Sequence, residues 1–368
     1  MTTLLALPRG CEIRCPACAH RTLSAQESQA HKQHWLEDQL APWQNKLAPL
    51  QAAPERQRWS YRNKVCLSTA WAQGSWQFGL ISRKELIPIP HCPVHVEPIN
   101  RAIQRLAHAL PPAPQFPLAY YLQSGAQATL VLKINQLPDL SWLCASLQAG
   151  LSAMGIEGLW LHLHPSAGRR VVAKKAWHLV WGRPRSVDSD GLVYGPTAFQ
   201  QLIPPLYRRA LDQAEAFLAP SARDAVVDLY CGIGSSLRRW CKCGAWIVGV
   251  ELDGEAVECA RLNAPEAVVL RGRCAERIPQ LNAWLAEQGG KERLLYANPP
   301  RTGLEPELKN WVAQLRPARI AYLSCSAGTL RRDLEVLERA GYRVEQIIPY
   351  DFFPQTHHVE TLALLNLA

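Results

Sequence analysis

Residues 225–237 read AVVDLYCGIGSSL, and this stretch decides the fold. A short apolar run gives way to a loop with glycines at 232 and 234, and a helix-forming segment follows. A strand that runs into a glycine turn and then a helix opens a βαβ unit. Outward from it the pattern repeats. WIVGVEL, AVVLRG, RLLYANPP and RIAYLSC are apolar runs separated by helical segments, and YRVEQIIPYDFFP with HVETLALLNL predicts a closing hairpin. From about residue 190 onward the expectation is a doubly wound α/β sheet.

Glycines at such a turn let the backbone approach a ligand, and the crevice beyond the strand ends is where doubly wound sheets take nucleotides. WIVGVEL ends in Glu251, about 20 residues beyond the loop, where a carboxylate accepts hydrogen bonds from ribose hydroxyls. The loop is G-x-G without a third spaced glycine, with Asp228 on the strand before it, which fits S-adenosylmethionine better than a dinucleotide. Alone, the loop is as readily structural; Glu251 at the next strand end favours binding. Asn298-Pro299-Pro300 ends a later strand, where two prolines stiffen the turn and hold the Asn298 amide over the crevice. Cys325 ends the strand after that, at a junction with a helix whose N-terminus can activate a thiol. Taken by itself, a cysteine in an apolar strand reads as a buried structural residue.

With 368 residues, 48% hydrophobic and 19% charged, the chain has room for two or three globular domains. It has no apolar run of about 18 residues and no signal-peptide pattern, so the expectation is a cytoplasmic protein without a membrane span. Lys and Arg number 40 against 31 Asp and Glu, a +9 excess that fits a polyanionic partner such as RNA. Between residues 158 and 187 there is no acid, while Arg169, Arg170, Lys174, Lys175, Arg183 and Arg185 crowd around Trp177 and Trp181. That mixture suits phosphate contacts plus base stacking, against a solvated strand face with core tryptophans.

Before residue 190 the sequence reads as a polar helix (LSAQESQAHKQHWLEDQLAPW), short antiparallel strands over 60–92, an amphipathic helix (VEPINRAIQRLAHAL), then strands at ATLVLKI, LWLHLHP and WHLVWGR with a helix at SWLCASLQAGLSAMG. Twelve cysteines in a reducing compartment point to metal or catalysis rather than disulfides. Cys11, Cys15 and Cys18 form a C-x3-C-x2-C array. The spacing suits zinc with Cys92 or His20 as a fourth ligand, a four-cysteine iron–sulfur cluster, or the three-cysteine cluster of a radical enzyme. The radical signature belongs at the start of a barrel of βα units, which does not follow here. Cys66, Cys144 and Cys259 fall in apolar patterns and read as core residues; Cys241 and Cys243 have no matching pair.

DLYCGIG, NPPRTGL, YLSCSAGTLRRDL and DFFPQTHHVETLALL, in this order and at these intervals, resemble the RNA 5-methyluridine methyltransferases. YRNKV at 61–65, HCP at 91–93 and GPTAFQQ at 195–201 extend the likeness over nearly the whole chain, most closely to the compact 23S rRNA uracil-5-methyltransferases that lack a TRAM domain. The resemblance implies a C-terminal Rossmann-like, class I S-adenosylmethionine-dependent domain over 191–368. It would be preceded by an iron–sulfur segment over 1–100 and a small α+β central domain that binds RNA over 101–190. It implies methylation of carbon 5 of a uridine in 23S rRNA through a covalent cysteine–uracil adduct, with Cys325 as nucleophile and Glu360 as base.

By the same resemblance Gln201, Tyr230, Gly232, Glu251 and Asn298 would surround S-adenosylmethionine. Cys11, Cys15 and Cys18 would join Cys92 around a [4Fe–4S] cluster. His357 and His358, beside the base, read as structural hydrogen-bonding residues. Ile203 stands where the family often has asparagine, and Cys274 where a polar residue usually approaches the adenine. RNA is the implied partner, no membrane is involved, and the chain is expected to act as a monomer. Two rival readings remain: a transfer-RNA enzyme, whose members commonly lack the cluster cysteines, and a non-catalytic RNA-binding protein on a methyltransferase fold, against which the presence of Cys325 and Glu360 argues.

Overall fold

The computed structural model describes residues 6–368. The chain divides into two compact units, one made of residues up to 22 with 56–202, the other of 23–55 with 203–368. The first helix, α1 (Ala25–Gln39), therefore belongs with the C-terminal unit. Its N-terminus is closed by a capping box: Ser24 accepts from the Glu27 amide, and the Glu27 carboxylate accepts from the Ser24 amide at 2.9 Å.

The first unit is built on one mixed sheet. Its strands are β1 (Lys64–Ala72), β2 (Ser75–Ser82) and β3 (Glu85–Pro88), then, after α2 (Glu97–Ala109), β4 (Leu118–Ser124) and β5 (Gln127–Leu132), and after α3 (Ala145–Ala153), β6 (Gly158–Leu163) and β7 (Trp177–Gly182). The spatial order is β3-β2-β1-β4-β5-β6-β7, with β5 and β6 parallel and the other pairs antiparallel. Because β1 pairs with β4, the segments 1–100 and 101–190 contribute to a single sheet rather than to separate ones. α2 lays Ile99, Ile103 and Leu106, spaced by three and four residues, onto the core beside Tyr121 and Leu130. A small ribbon, β8 (Ser186–Val187) with β9 (Val193–Tyr194), follows.

Two cysteines depart from the sequence reading. Alternation along β1 turns Val65 and Leu67 inward and leaves Cys66 exposed, and Cys144 sits exposed at the N-cap of α3. Only Cys259 of the three is core. Trp181 packs against the first unit's core, and Trp177 stacks on the buried His162 at 4.1 Å between ring centres. The basic residues beside them, Arg169, Arg170, Lys174, Lys175 and Arg183, are exposed around the edge strand β7.

The second unit holds α4 (Pro204–Leu218), β10 (Asp224–Leu229), α5 (Ser235–Lys242), β11 (Trp246–Glu251), α6 (Gly254–Asn263), β12 (Val268–Arg271), α7 (Ile278–Glu287), β13 (Glu292–Ala297), α8 (Pro306–Leu315), β14 (Arg319–Ser324), α9 (Ala327–Arg339) and the hairpin β15 (Tyr342–Tyr350) with β16 (Glu360–Leu367). The order is β12-β11-β10-β13-β14-β16-β15; the first five are parallel, and β16 runs antiparallel to both its neighbours. Every residue of β10 is buried, as a central parallel strand covered on both faces requires. The strand order reverses between β10 and β13, so the crevice of a doubly wound sheet opens past Leu229 and Ala297, which are register partners. The α/β expectation from the apolar runs and the closing hairpin is thereby met. Among the described residues no helix is long and apolar enough to cross a membrane.

Candidate active site

The loop after β10 is shaped by its backbone. Gly234 has φ +85°, and a Cβ there would stand 3.1 Å from the Cα of Ala260, so glycine allows the close approach of α6. Tyr230 also lies in the left-handed region, at φ +60°, a conformation that costs a residue with a Cβ roughly 1 kcal/mol or more. Glu251, at the end of β11, reaches back over the loop. Its Oε2 accepts from the Gly232 amide at 3.0 Å, and its Oε1 from the amides of Leu252 and Asp253 at 2.7 and 2.8 Å. A carboxylate has about four lone-pair sites, so three are taken and about one is left for a ligand hydroxyl. Burial holds Glu251 above its usual pKa, while the backbone donors pull it back down.

Asn298 follows β13 at the other side of the switch point, and its backbone amide donates to the Leu229 carbonyl at 3.2 Å, which ties the two strand ends together. The Pro-Pro turn beyond it is fixed by α9. Asp333, fully buried, accepts from the Leu304 amide and the Tyr322 hydroxyl, both at 2.8 Å, and from Lys309 Nζ at 3.0 Å. Arg332 donates to the Thr302 carbonyl at 2.8 Å. Gly303, at φ +75°, lies where any side chain would run into the Asp333 carboxylate. The turn thus presents Arg301 at a fixed place. Sequence alone assigns Arg301 no role, although it stands in the motif NPPRTGL.

Cys325 and Glu360 come together through strand register. Ser324 of β14 pairs with Thr361 of β16, so the next antiparallel rung outward is Cys325 opposite Glu360. Glu360 is 3% exposed, and its Oε2 has no hydrogen-bond partner among the described residues. Burial pushes its pKa up to about 7, with Arg301 pulling the other way. Burial and the neighbouring Glu360 push the Cys325 thiol up to about 11, and the Arg301 guanidinium, within hydrogen-bond reach of the sulfur, opposes them. Arg301 Nη2 also lies 3.4 Å from His358 Nε2. His358 therefore meets the site through Arg301, and His357 is exposed beside it.

Two family departures have local consequences. Ile203 occupies the N-cap of α4, fully buried, with no side-chain cap. Cys274 is buried at the start of the short turn after β12. Gln201 lies in the first unit; it is 6% exposed, and its Oε1 is buried without a hydrogen-bond partner among the described residues. A buried, unsatisfied carbonyl is the kind of acceptor a cationic ligand group would satisfy.

In the first unit Cys11, Cys15, Cys18 and Cys92 line one cavity of about 780 Å³, including its open mouth, together with Arg21, Arg62, His95 and the exposed Cys66. The walls are tied down. Arg21 donates to the Cys15 carbonyl and, at 2.7 Å, to that of Ile13; Asn100 Nδ2 donates to the Cys92 carbonyl at 2.9 Å. Burial, followed by the proximity of Cys92 and Cys15, pushes the Cys18 thiol up to about 12. Among the described residues no three His, Cys, Asp or Glu side chains converge on a point that one ion could occupy. A single zinc would draw its thiolates to about 2.3 Å from one centre, whereas a cluster of several atoms holds them farther apart. As a donor set, four thiols on one cavity fit an iron–sulfur cluster.

The chain is similar to several known proteins. Residues 291–367, which span Asn298, Cys325 and Glu360, match the family model described as tRNA (Uracil-5-)-methyltransferase. An uncharacterized RNA methyltransferase of Clostridium tetani is 27% identical over 97% of this chain and 82% of its own length. The 23S rRNA (uracil(1939)-C(5))-methyltransferase RlmD of Shewanella woodyi is 28% identical over 96% of this chain and 80% of its own. Among solved structures, the tRNA (uracil-54, C5)-methyltransferase of Pyrococcus abyssi, in complex with S-adenosyl-L-homocysteine, superposes with a TM-score of 0.71 at 21% identity, over 96% of this chain and 85% of that one. The chain is thus similar, over nearly its whole length, to RNA methyltransferases that include 23S rRNA (uracil-C(5))-methyltransferases, the family its motifs resemble.

Proposed function

We propose that this chain transfers a methyl group from S-adenosylmethionine to carbon 5 of a uridine in 23S rRNA through a covalent adduct between Cys325 and the uracil. The observation that carries this reading is the rung that sets Cys325 against Glu360 at the carboxyl edge of the sheet, beside Arg301. Carbon 5 of uracil is a weak nucleophile until a nucleophile adds to carbon 6. In this reading the Cys325 thiolate forms the Sγ–C6 bond, and the electron pair of the C5–C6 double bond moves into an enolate. S-adenosylmethionine supplies a methyl group on a sulfonium, and its thioether leaves with the bonding electrons as carbon 5 takes the methyl. Glu360 then accepts the proton from carbon 5, and re-formation of the C5–C6 double bond expels the thiolate.

Each neighbour has a task in that sequence. Arg301 opposes the forces that keep the thiol protonated. Burial gives Glu360 a basicity near neutrality, suited to taking a proton and passing it on. Tyr230, Gly232, Glu251 and Asn298 border the crevice that would take the cofactor. The target uridine must be flipped out of any stack, which costs least in a loop or single strand.

In the same reading Cys11, Cys15, Cys18 and Cys92 hold a [4Fe–4S] cluster, with a structural or RNA-docking role, since methyl transfer moves no electrons. The exposed cations around β7 meet RNA phosphates, while Trp181 serves the core. The cysteine array favours ribosomal over transfer RNA.

Incubation with methyl-labelled S-adenosylmethionine and total RNA from cells lacking the protein, followed by fractionation, tests the reading. Label in 23S rRNA as 5-methyluridine, lost in Cys325→Ala, is the expected result. Label in transfer RNA would keep the chemistry and change the substrate; no label, with cofactor binding intact, would point to a non-catalytic RNA-binding protein.

A further inference from the structure

Lys32 is a lysine whose side chain is fully buried, and its burial serves one loop. Its ammonium lies 2.5 Å from the Asp351 carboxylate, which is itself buried, and donates to the Phe353 carbonyl at 3.0 Å. One turn earlier on α1, Ser28 Oγ donates to the Pro354 carbonyl at 3.2 Å. Beyond α1 the chain runs alongside β15. The Ala48 amide donates to the Ile347 carbonyl and the Gln51 amide to the Pro349 carbonyl, each at 2.8 Å, and the Asp351 amide donates back to the Gln51 carbonyl at 3.0 Å. The segment 28–51 therefore holds the end of β15 and the first residues of the loop 351–359.

That loop ends in Glu360, and Tyr350, the residue before Asp351, is the register partner of Glu360. Replacing a buried ion pair by apolar groups is often neutral or stabilising, so stability alone is a weak reason to keep one. A long hairpin connection is entropically free to wander, and clamping its start narrows where its end can lie.

We infer that Lys32, through Asp351 and the loop it fixes, is a positioning residue for Glu360. The inference rests on the reading of Glu360 as the base that clears carbon 5. The clamp sets when the base meets its proton, not whether the thiolate adds, so its loss leaves methylated uracil attached to Cys325.

The test uses the full chain carrying Lys32→Met with Asp351→Asn, which removes both charges at once and leaves no lone buried ion, and, as a milder second variant, Ser28→Ala. Three quantities are read with total RNA from cells lacking the protein: turnover of labelled methyl, the protein–RNA adduct that survives denaturation, and hydrogen exchange of residues 351–360. The expected result is a double variant that melts with the wild type and keeps its KM for S-adenosylmethionine. Its kcat falls on the order of 10- to 100-fold, as a small displacement of a reacting group produces. Adduct accumulates, and the 351–360 amides exchange faster; Ser28→Ala moves the same way by less. A folded double variant with wild-type turnover and wild-type exchange overturns the inference, as does Ser28→Ala with neither change if the double variant does not fold. Glu360→Gln run alongside separates the two ideas. If it turns over like the wild type, the base assignment falls, and the clamp is then judged on exchange and kcat alone.

Discussion

Cys325 and Glu360 face each other one rung beyond the last pair of the β14–β16 ladder, Ser324 with Thr361. The antiparallel insertion of β16 beside a parallel strand brings a thiol that ends one strand and a carboxylate that begins another to one edge.

Arg301 stands within hydrogen-bond reach of the Cys325 sulfur and opposes its raised pKa. Arg301→Ala should slow adduct formation roughly 100-fold at neutral pH, the low end of what placed proton-transfer groups contribute. The loss should stay the same from pH 7 to pH 10, because with or without Arg301 the thiol titrates above that range and each protein gains thiolate in parallel as pH rises. Single-turnover methylation measured from pH 7 to pH 10 checks both parts.

The two reacting groups should separate in their pH dependence. In the proposed mechanism methyl transfer is effectively irreversible and precedes proton removal, so kcat/KM would report the Cys325 thiolate and kcat would also report the Glu360 carboxylate. Both forms gain population as pH rises. The profile of kcat/KM should climb toward about 11, and where proton removal limits turnover, kcat should break near 7. Glu360→Gln should abolish the break in kcat while leaving a single methyl transfer per chain.

Glu360 should also trade stability for function. Its native pKa is raised from 4.5 to about 7 by burial, so the stability it contributes is present below its unfolded pKa and is lost as pH rises through about 7. A rise of that size corresponds to about 3 kcal/mol. Glu360→Gln cannot ionise and should be more stable than the wild type above pH 7 by up to about that amount, with little difference below pH 4.5. Denaturant unfolding at pH 5 and pH 8.5 checks the sign.

If the cysteine-lined cavity holds a [4Fe–4S] cluster, Cys18→Ser or Cys92→Ser should remove iron and acid-labile sulfide together after anaerobic reconstitution. Stability of the first unit should fall with them, as when metal binding contributes to folding. Cys66→Ser, at an exposed cysteine on the rim of the same cavity, should retain the full complement. Iron and sulfide per chain are the measurement.

If the cations at the β7 edge meet RNA phosphates, replacing Arg169, Arg170, Lys174 and Lys175 with alanine should weaken RNA binding and flatten its salt dependence. The slope of log affinity against log salt should fall by about 0.7–0.9 for each phosphate no longer neutralised. S-adenosylmethionine binding should stay as it was. Titration at several salt concentrations reads both.

Much of this architecture is written locally. The apolar runs fix the strands of the second unit because parallel strands buried on both faces are apolar along their length, as β10 is. The motifs that carry Cys325 and Glu360 point to the two strand ends that register brings side by side. What the sequence hides is long-range. α1 buries Ser28, Lys32 and Leu36, a stripe at intervals of four whose first two members are polar, so it reads as a surface helix. The partner of Lys32, Asp351, lies 319 residues away, and no local pattern announces the pairing. α4 begins with Pro204 and Pro205, which read as breakers, although proline is favoured in a helix's first turn. The apolar context of Cys66 suggests a core residue, yet it does not specify which face of β1 the side chain occupies.

The most direct test of the central claim is a trap. In RNA containing 5-fluorouridine, fluorine replaces the hydrogen that Glu360 would remove as a proton in the proposed mechanism, so elimination cannot follow methyl transfer. Wild-type protein, S-adenosylmethionine and fluorinated RNA should give a denaturation-stable, methyl-labelled protein–RNA complex joined through Cys325, and Cys325→Ala should give none. Undiminished complex with Cys325→Ala, or none with the wild type while ordinary RNA is still methylated, would contradict the covalent mechanism.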